Sequence, residues 1–99
     1  YPPLYVSDDA IITTSLVDKG CEIEGVVKNS VIFPGVKIGK NSKVINSVIM
    51  QDTVIEENVI INKAIIADEV VIKKNTVIGD DTEIAVIGHG RIIKSEVIK

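Results

Sequence analysis

The sequence contains few of the residues on which small domains rely for chemistry or for a helical core. Its 99 residues include no tryptophan and only one cysteine, one methionine and one histidine, and Leu4 and Leu16 are its two leucines. A single cysteine excludes an internal disulfide and a cysteine-based metal site. A single histidine excludes a metal-spaced histidine cluster. The scarcity of leucine argues against a helical core, because helices favour side chains that are not branched at Cβ.

Long apolar runs and an excess of positive charge are missing as well. No stretch approaches the roughly 18 uninterrupted apolar residues of a membrane span. No charged segment followed by an apolar one opens the chain, as it would in a secretory signal. The net charge is -3 and the charges are interspersed, which gives no basic surface for nucleic acid. We therefore expect a cytoplasmic domain without a nucleic-acid or membrane partner.

Isoleucine and valine dominate instead, and they recur with a fixed period. Nineteen residues are isoleucine and fifteen are valine. Three series recur at every seventeenth position: Ile32, Ile49 and Ile66; Ile38, Ile55 and Ile72; and Val44, Ile61 and Ile78. Within one unit the steps are six, six and five, which predicts three short strands and three corners in each coil. The pattern indicates an all-β protein, a parallel β-helix of hexapeptide repeats with roughly five triangular coils.

Residues one period apart stack in neighbouring coils, so each column can be given a place in the prism. The column Asn41, Asn58 and Asn75 is expected to turn a corner in the left-handed backbone region, which asparagine tolerates. Small residues two positions before core residues are expected to point inward; they are Cys21, Ser30, Ser42, Ser47, Thr53, Ala64, Val70 and Thr76. Cys21 is then an interior residue and not a nucleophile.

The period becomes irregular towards both ends. The unit from Val17 to Ile32 is two positions shorter than the units that follow it, which predicts a tightened corner near Gly25. Val6 and Ile12 are expected to supply an incomplete first coil, and Ile84 is expected to continue the core. The opening Tyr1-Pro2-Pro3 favours an extended entry. We expect residues 1–5 to be a linker and residues 6–99 to be the β-helix of a longer protein.

No catalytic or metal-binding set is recognisable. The chain has no P-loop, no dinucleotide-binding glycine motif and no nucleophile elbow. His89 lies between two glycines and is expected to be a solvated loop residue. A second hypothesis makes it the general base of a hexapeptide acyltransferase. The lysine columns predict that Lys73 lies above Glu56, a favourable pair across neighbouring strands.

Beyond the period, particular segments resemble the C-terminal β-helix of ADP-glucose pyrophosphorylase (glucose-1-phosphate adenylyltransferase). The most specific are Asn29-Ser30-Val31-Ile32-Phe33 and Asn46-Ser47-Val48-Ile49-Met50; residues 15–17, 20–23, 63–68 and 77–80 continue the likeness. The resemblance implies left-handed coils. It also implies that the parent protein makes ADP-glucose and pyrophosphate from ATP and glucose 1-phosphate, with Mg²⁺, in an N-terminal catalytic domain. The fragment alone is then expected to be inactive and to need no cofactor.

The same resemblance implies partners and effector contacts. The partners would be the catalytic domain of the same chain, other subunits of a homo- or hetero-tetramer, and a phosphorylated sugar effector. Lys94 matches the position of a lysine that binds a phosphorylated activator in plant-type members of the family. Some bacterial members have a basic effector contact soon after the segment that matches Ile32-Phe33, and Lys37 is the next basic residue there in this chain. Whether the parent protein is a subunit of the catalytic or of the regulatory type stays open. A second alternative is that the chain is the β-helix of another sugar-phosphate nucleotidyltransferase.

Overall fold

Short parallel strands form the three faces of a prism. The computed structural model describes residues 3–79, 84–93 and 97–98, and within them the chain forms seventeen strands and no helix. In chain order they are β1 Tyr5–Val6, β2 Ile11–Thr13, β3 Leu16–Val17, β4 Glu22–Ile23, β5 Val26–Lys28, β6 Val31–Ile32, β7 Lys37–Ile38, β8 Lys43–Ile45, β9 Val48–Ile49, β10 Val54–Ile55, β11 Ile60–Asn62, β12 Ala64–Ile66, β13 Val71–Ile72, β14 Val77–Ile78, β15 Ala85–Ile87, β16 Ile92–Ile93 and β17 Val97–Ile98.

Every third strand belongs to the same sheet. Sheet A runs β1-β4-β7-β10-β13-β16, sheet B runs β2-β5-β8-β11-β14-β17, and sheet C runs β3-β6-β9-β12-β15. Ile49 pairs with Ile32 on one side and with Ile66 on the other, so the period of the sequence is the register of the sheets. The predicted parallel β-helix of about five coils is confirmed.

The inward columns form one continuous core. The largest fully buried side chains are almost all isoleucine, and the predicted small inward residues are buried too. Buried hydroxyls link successive coils, because Ser30 Oγ accepts a hydrogen bond from the Ser47 amide at 3.1 Å, and Ser47 Oγ accepts one from the Ala64 amide at 3.1 Å. The small polar residues therefore supply hydrogen bonds between coils as well as room at the corners.

The corners use the left-handed backbone, as predicted for the asparagine column. Asn41, Asn58 and Asn75 have φ of 62°, 57° and 64°. Two further left-handed columns were not predicted: Asn29, Asn46 and Lys63, and Gly35, Asp52 and Glu69. Lysine and glutamate do not usually mark this conformation, so residue type gave no signal there.

The irregular coils differ in part from the prediction. Gly25 does form the tightened corner, because a Cβ there would lie 2.3 Å from the Ser42 carbonyl oxygen. The first coil is complete, with β1, β2 and β3 all paired to the next coil. The prediction for Ile84 is wrong: its side chain is 57% exposed, and Ile87 takes the core position opposite Ile66. Ile66 pairs with Ile87, whereas a regular coil of 17 residues would place its partner four positions earlier. The coil between them is therefore four residues longer than the regular ones.

Candidate functional site

Lys37, one of the two predicted effector contacts, lies on an exposed strand of sheet A. Its Nζ is 3.8 Å from Glu22 Oε2, and both side chains are more than half exposed. An exposed ion pair of this kind is weak and screened by salt. Lys37 is therefore held only loosely by its neighbour. Lys94, the other predicted contact, lies outside the described residues.

A polar groove runs beside the corner between sheets A and B. It is lined by Glu24, Gly39, Lys40, Glu56, Glu57 and Lys74. Glu56 is already engaged, because Lys73 Nζ lies 3.5 Å from its Oε2 and the Lys74 amide donates to its Oε1 at 3.2 Å. The predicted stacking of Lys73 above Glu56 is thereby confirmed. Three carboxylates and two lysines give this groove a mixed lining and not a concentrated positive one.

His89 lies in the turn after β15, between two carboxylates of the preceding coil. Its Nδ1 is 3.1 Å from Asp68 Oδ1, and its Nε2 is 3.8 Å from Glu69 Oε2. The hydrogen bond to Asp68 and the charges of Asp68 and Glu69 raise the pKa of His89. This arrangement favours the imidazolium, whereas a general base needs a neutral ring with a free nitrogen. The side chain is 62% exposed, as expected of a loop residue.

Cys21 is fully buried, as the sequence predicted. Its Sγ lies 3.1 Å from the Phe33 carbonyl oxygen, to which it donates. Burial raises the pKa of the Cys21 thiol, which disfavours the thiolate needed for nucleophilic attack. Cys21 is a packing residue.

Sheet C has an outer surface that the sequence reasoning did not single out. Its outward column is uniformly apolar: Leu16, Val31, Val48, Ile65 and Val86 are paired in register along all five strands. The signal was present in the sequence, because Val31, Val48 and Ile65 are themselves separated by exact periods of the repeat. The outward columns considered from the sequence were charged ones, such as Lys73 above Glu56, so this apolar one was missed.

At one end of this surface the apolar residues border a cleft. The cleft has a volume of about 370 Å³ and is lined by Leu16, Val17, Asp18, Val31, Ile32 and Phe33. Leu16 is 72% exposed at its edge, and Phe33 is 36% exposed. Its mostly apolar lining is suited to binding an apolar side chain.

Within the described part of the chain, no group of three or more histidine, cysteine, aspartate or glutamate side chains could hold a metal ion. Among those residues there is likewise no helix long and apolar enough to cross a membrane.

Comparison with known proteins identifies the fold and the relatives. The glucose-1-phosphate adenylyltransferase of Fusobacterium nucleatum is 62% identical over 96 residues, which are 97% of this chain and 25% of that protein. The enzyme of the same name from Clostridium kluyveri is 61% identical over 95 residues, again 25% of its length. The chain thus spans about a quarter of these relatives, and the resemblance drawn from the sequence is confirmed.

A solved structure and a family model complete the comparison. A hexapeptide transferase family protein from Anaplasma phagocytophilum matches with a TM-score of 0.54 and 17% identity, over 93% of this chain and 70% of that one. At that identity the likeness concerns the fold alone. The model described as GlmU-like, C-terminal hexapeptide, matches residues 5–97. The chain therefore belongs to the GlmU-like C-terminal hexapeptide family.

Proposed function

We propose that this chain is the β-helix of a glucose-1-phosphate adenylyltransferase and serves its assembly and effector response. The whole enzyme would form ADP-glucose and pyrophosphate from ATP and glucose 1-phosphate in the cytoplasm. ATP and Mg²⁺ would bind elsewhere in the longer protein, because this sequence carries no nucleotide-binding motif. The partners would be that catalytic part of the same polypeptide and the other subunits of a tetramer.

The identity to the two enzymes is the observation that carries this proposal. A β-helix needs its inward columns and corners, and 17% identity is enough to share the fold. Here 62% of 96 positions are identical, whereas only eighteen apolar and five polar side chains are buried in the described residues. The likeness must therefore extend to many positions that are half-buried or exposed, whose residue types the fold alone does not require.

A chimaera tests the proposal. This chain would replace the corresponding quarter of the Fusobacterium nucleatum enzyme, and ADP-glucose formation would be measured from ATP, glucose 1-phosphate and Mg²⁺. We expect a soluble enzyme with turnover within about tenfold of the parent, equivalent to a barrier change under about 1.4 kcal/mol. The matched control carries the β-helix of the Anaplasma phagocytophilum protein, and we expect it to lose assembly or activity. A soluble, assembled but inactive chimaera with this chain would contradict the proposal.

Lys37 is proposed to contact the phosphate of a sugar effector, and Lys94 is proposed from the resemblance to do the same. A phosphate group competes well with the single exposed carboxylate of Glu22 for the Lys37 ammonium. In the chimaera, Lys37→Gln should raise the effector concentration for half-maximal response by about tenfold, because one charge-assisted hydrogen bond is worth about 1.5 kcal/mol. Lys43→Gln, on sheet B, is the control. Equal effects of the two substitutions would remove Lys37 from the effector site.

A further inference from the structure

One coil lacks a carboxylate that the next coil has at the corner between sheets A and B. At the corner of Lys74, the backbone amide donates to Glu56 Oε1 at 3.2 Å, and Lys73 Nζ lies 3.5 Å from Glu56 Oε2. One coil earlier, the equivalent amide belongs to Glu57, and the position equivalent to Glu56 is Gly39. Because glycine has no side chain, the Glu57 amide cannot receive a carboxylate from that position.

The Glu57 amide faces the polar groove at this corner. Its nitrogen lies 3.1 Å from the place where a Cβ at Gly39 would stand, and both residues line the groove. Among the described residues, this amide has no hydrogen-bond partner. A turn amide that opens into a groove is a ready donor for an anionic oxygen. The groove has a volume of about 660 Å³, which is enough for a small molecule.

Both signs of charge surround the amide. Lys40 follows Gly39 directly and lies one period before Glu57. Glu24 lies one coil below Gly39 and Glu57 one coil above, each about 4.8 Å away along the axis. In the described residues, the side chains of Lys40, Glu24 and Glu57 form no ion pair. A simple anion would be repelled by the carboxylates and a simple cation by the lysine, so a ligand that carries both charges fits the groove better than either.

We propose that this groove binds a small zwitterion of the α-amino acid class. The carboxylate of the ligand accepts hydrogen bonds from the Glu57 amide and the Lys40 ammonium, as the Glu56 carboxylate does from its partners at the next corner. The ammonium of the ligand lies between the carboxylates of Glu24 and Glu57. Turn amides capture carboxylates in other recognition sites, and charge-assisted hydrogen bonds of this kind are the strong ones. The site belongs to this chain alone and is separate from the effector contact proposed for Lys37.

Titration of the isotope-labelled 99-residue chain with free glutamine, followed by NMR, tests the proposal. We expect a saturable shift of the Glu57 amide signal, with a dissociation constant in the millimolar range. N-acetylglutamine lacks the ammonium and glutamine amide lacks the α-carboxylate, so each should bind about tenfold more weakly or worse. The absence of a saturable shift at Glu57 would overturn the proposal, and so would equal binding of glutamine and either analogue.

Substitutions test the individual contacts. Lys40 is exposed and Glu24 is half-buried, so Lys40→Gln and Glu24→Gln should keep the fold, which the same spectra report. Each should weaken glutamine binding by about tenfold, because each removes one charge-assisted hydrogen bond. Lys43→Gln, on strand β8 of sheet B, is the matched control and should leave the dissociation constant unchanged within about twofold. A folded Lys40→Gln or Glu24→Gln chain that binds glutamine as tightly as the unmodified chain would overturn the proposal.

Discussion

Replacing Gly25 by alanine should lower the stability of the fold. Among Gly25, Gly39 and Gly88, whose φ angles lie outside the left-handed region, Gly25 should be the position where alanine costs the most. An ideal Cβ at Gly25 would lie 2.3 Å from the Ser42 carbonyl oxygen and 2.9 Å from that of Gly39. Both contacts are with backbone, so no side-chain rotation can relieve them. At this corner the coil that contains Gly25 has two residues fewer than the next coil. The backbones of the two coils therefore lie close together there.

The magnitude follows from the cost of overpacking. Inserting a methyl group into a filled site costs about 1–3 kcal/mol, and a backbone clash of this depth belongs at the upper end. We expect about 3 kcal/mol of lost stability, which lowers the melting temperature by about 12–24 °C in a domain of this size. Urea unfolding followed by circular dichroism measures it.

Gly88→Ala is the matched control for this substitution. Nothing lies within 4 Å of a Cβ built at Gly88, and its φ is not in the left-handed region. It should change stability by less than about 1 kcal/mol, with a gain expected because alanine restricts the unfolded chain. Equal loss of stability in the two variants would refute the packing argument, as would an unchanged midpoint for Gly25→Ala.

Three other predictions concern the core, the hydroxyl ladder and the histidine. Ile49→Ala should cost about 2–5 kcal/mol in urea unfolding, because Ile49 is fully buried in the middle of the column; a loss below about 1 kcal/mol would mean that the core is not packed as described. Ser47→Ala should cost about 1–3 kcal/mol, because the buried Ala64 amide loses its acceptor, and Ser47→Thr, which keeps a hydroxyl, should lose less. His89 has a pKa raised by Asp68, so its contribution is fully present below the unfolded-state pKa of about 6.5 and is lost as pH rises through the higher folded value. Melting temperatures at pH 5.5 and 8.5 should therefore differ less for His89→Gln than for the unmodified chain, and an identical pH response would show that the pair with Asp68 is not formed.

The regular coils could be predicted because each column repeats a residue type that has one physical use. Isoleucine at 32, 49 and 66 fills the core, and asparagine at 41 tolerates a left-handed corner. Lys63 and Glu69 also adopt that backbone conformation, but their side chains do not require it. Their corners are imposed by the coil geometry, which only the three-dimensional structure shows.

The last described coil could not be predicted from the period. A regular period of 17 residues would place Ala85 next to Asp68. Because the actual coil is longer, His89 lies next to Asp68 instead. A change in coil length alters every pairing beyond it, and no aliphatic spacing reveals it before the strands are paired. The same change removed Ile84 from the core. The ion pair of His89 was therefore found only in the structure.

The most direct test measures ADP-glucose formation from ATP, glucose 1-phosphate and Mg²⁺ by the purified 99-residue chain and by the chimaera in which it replaces the corresponding quarter of the Fusobacterium nucleatum enzyme. We expect turnover by the chimaera and none by the chain alone, because the proposed function places catalysis outside the β-helix. ADP-glucose formation by the chain itself would contradict that division. So would acyl transfer from a coenzyme A donor by the chain that is lost in His89→Ala.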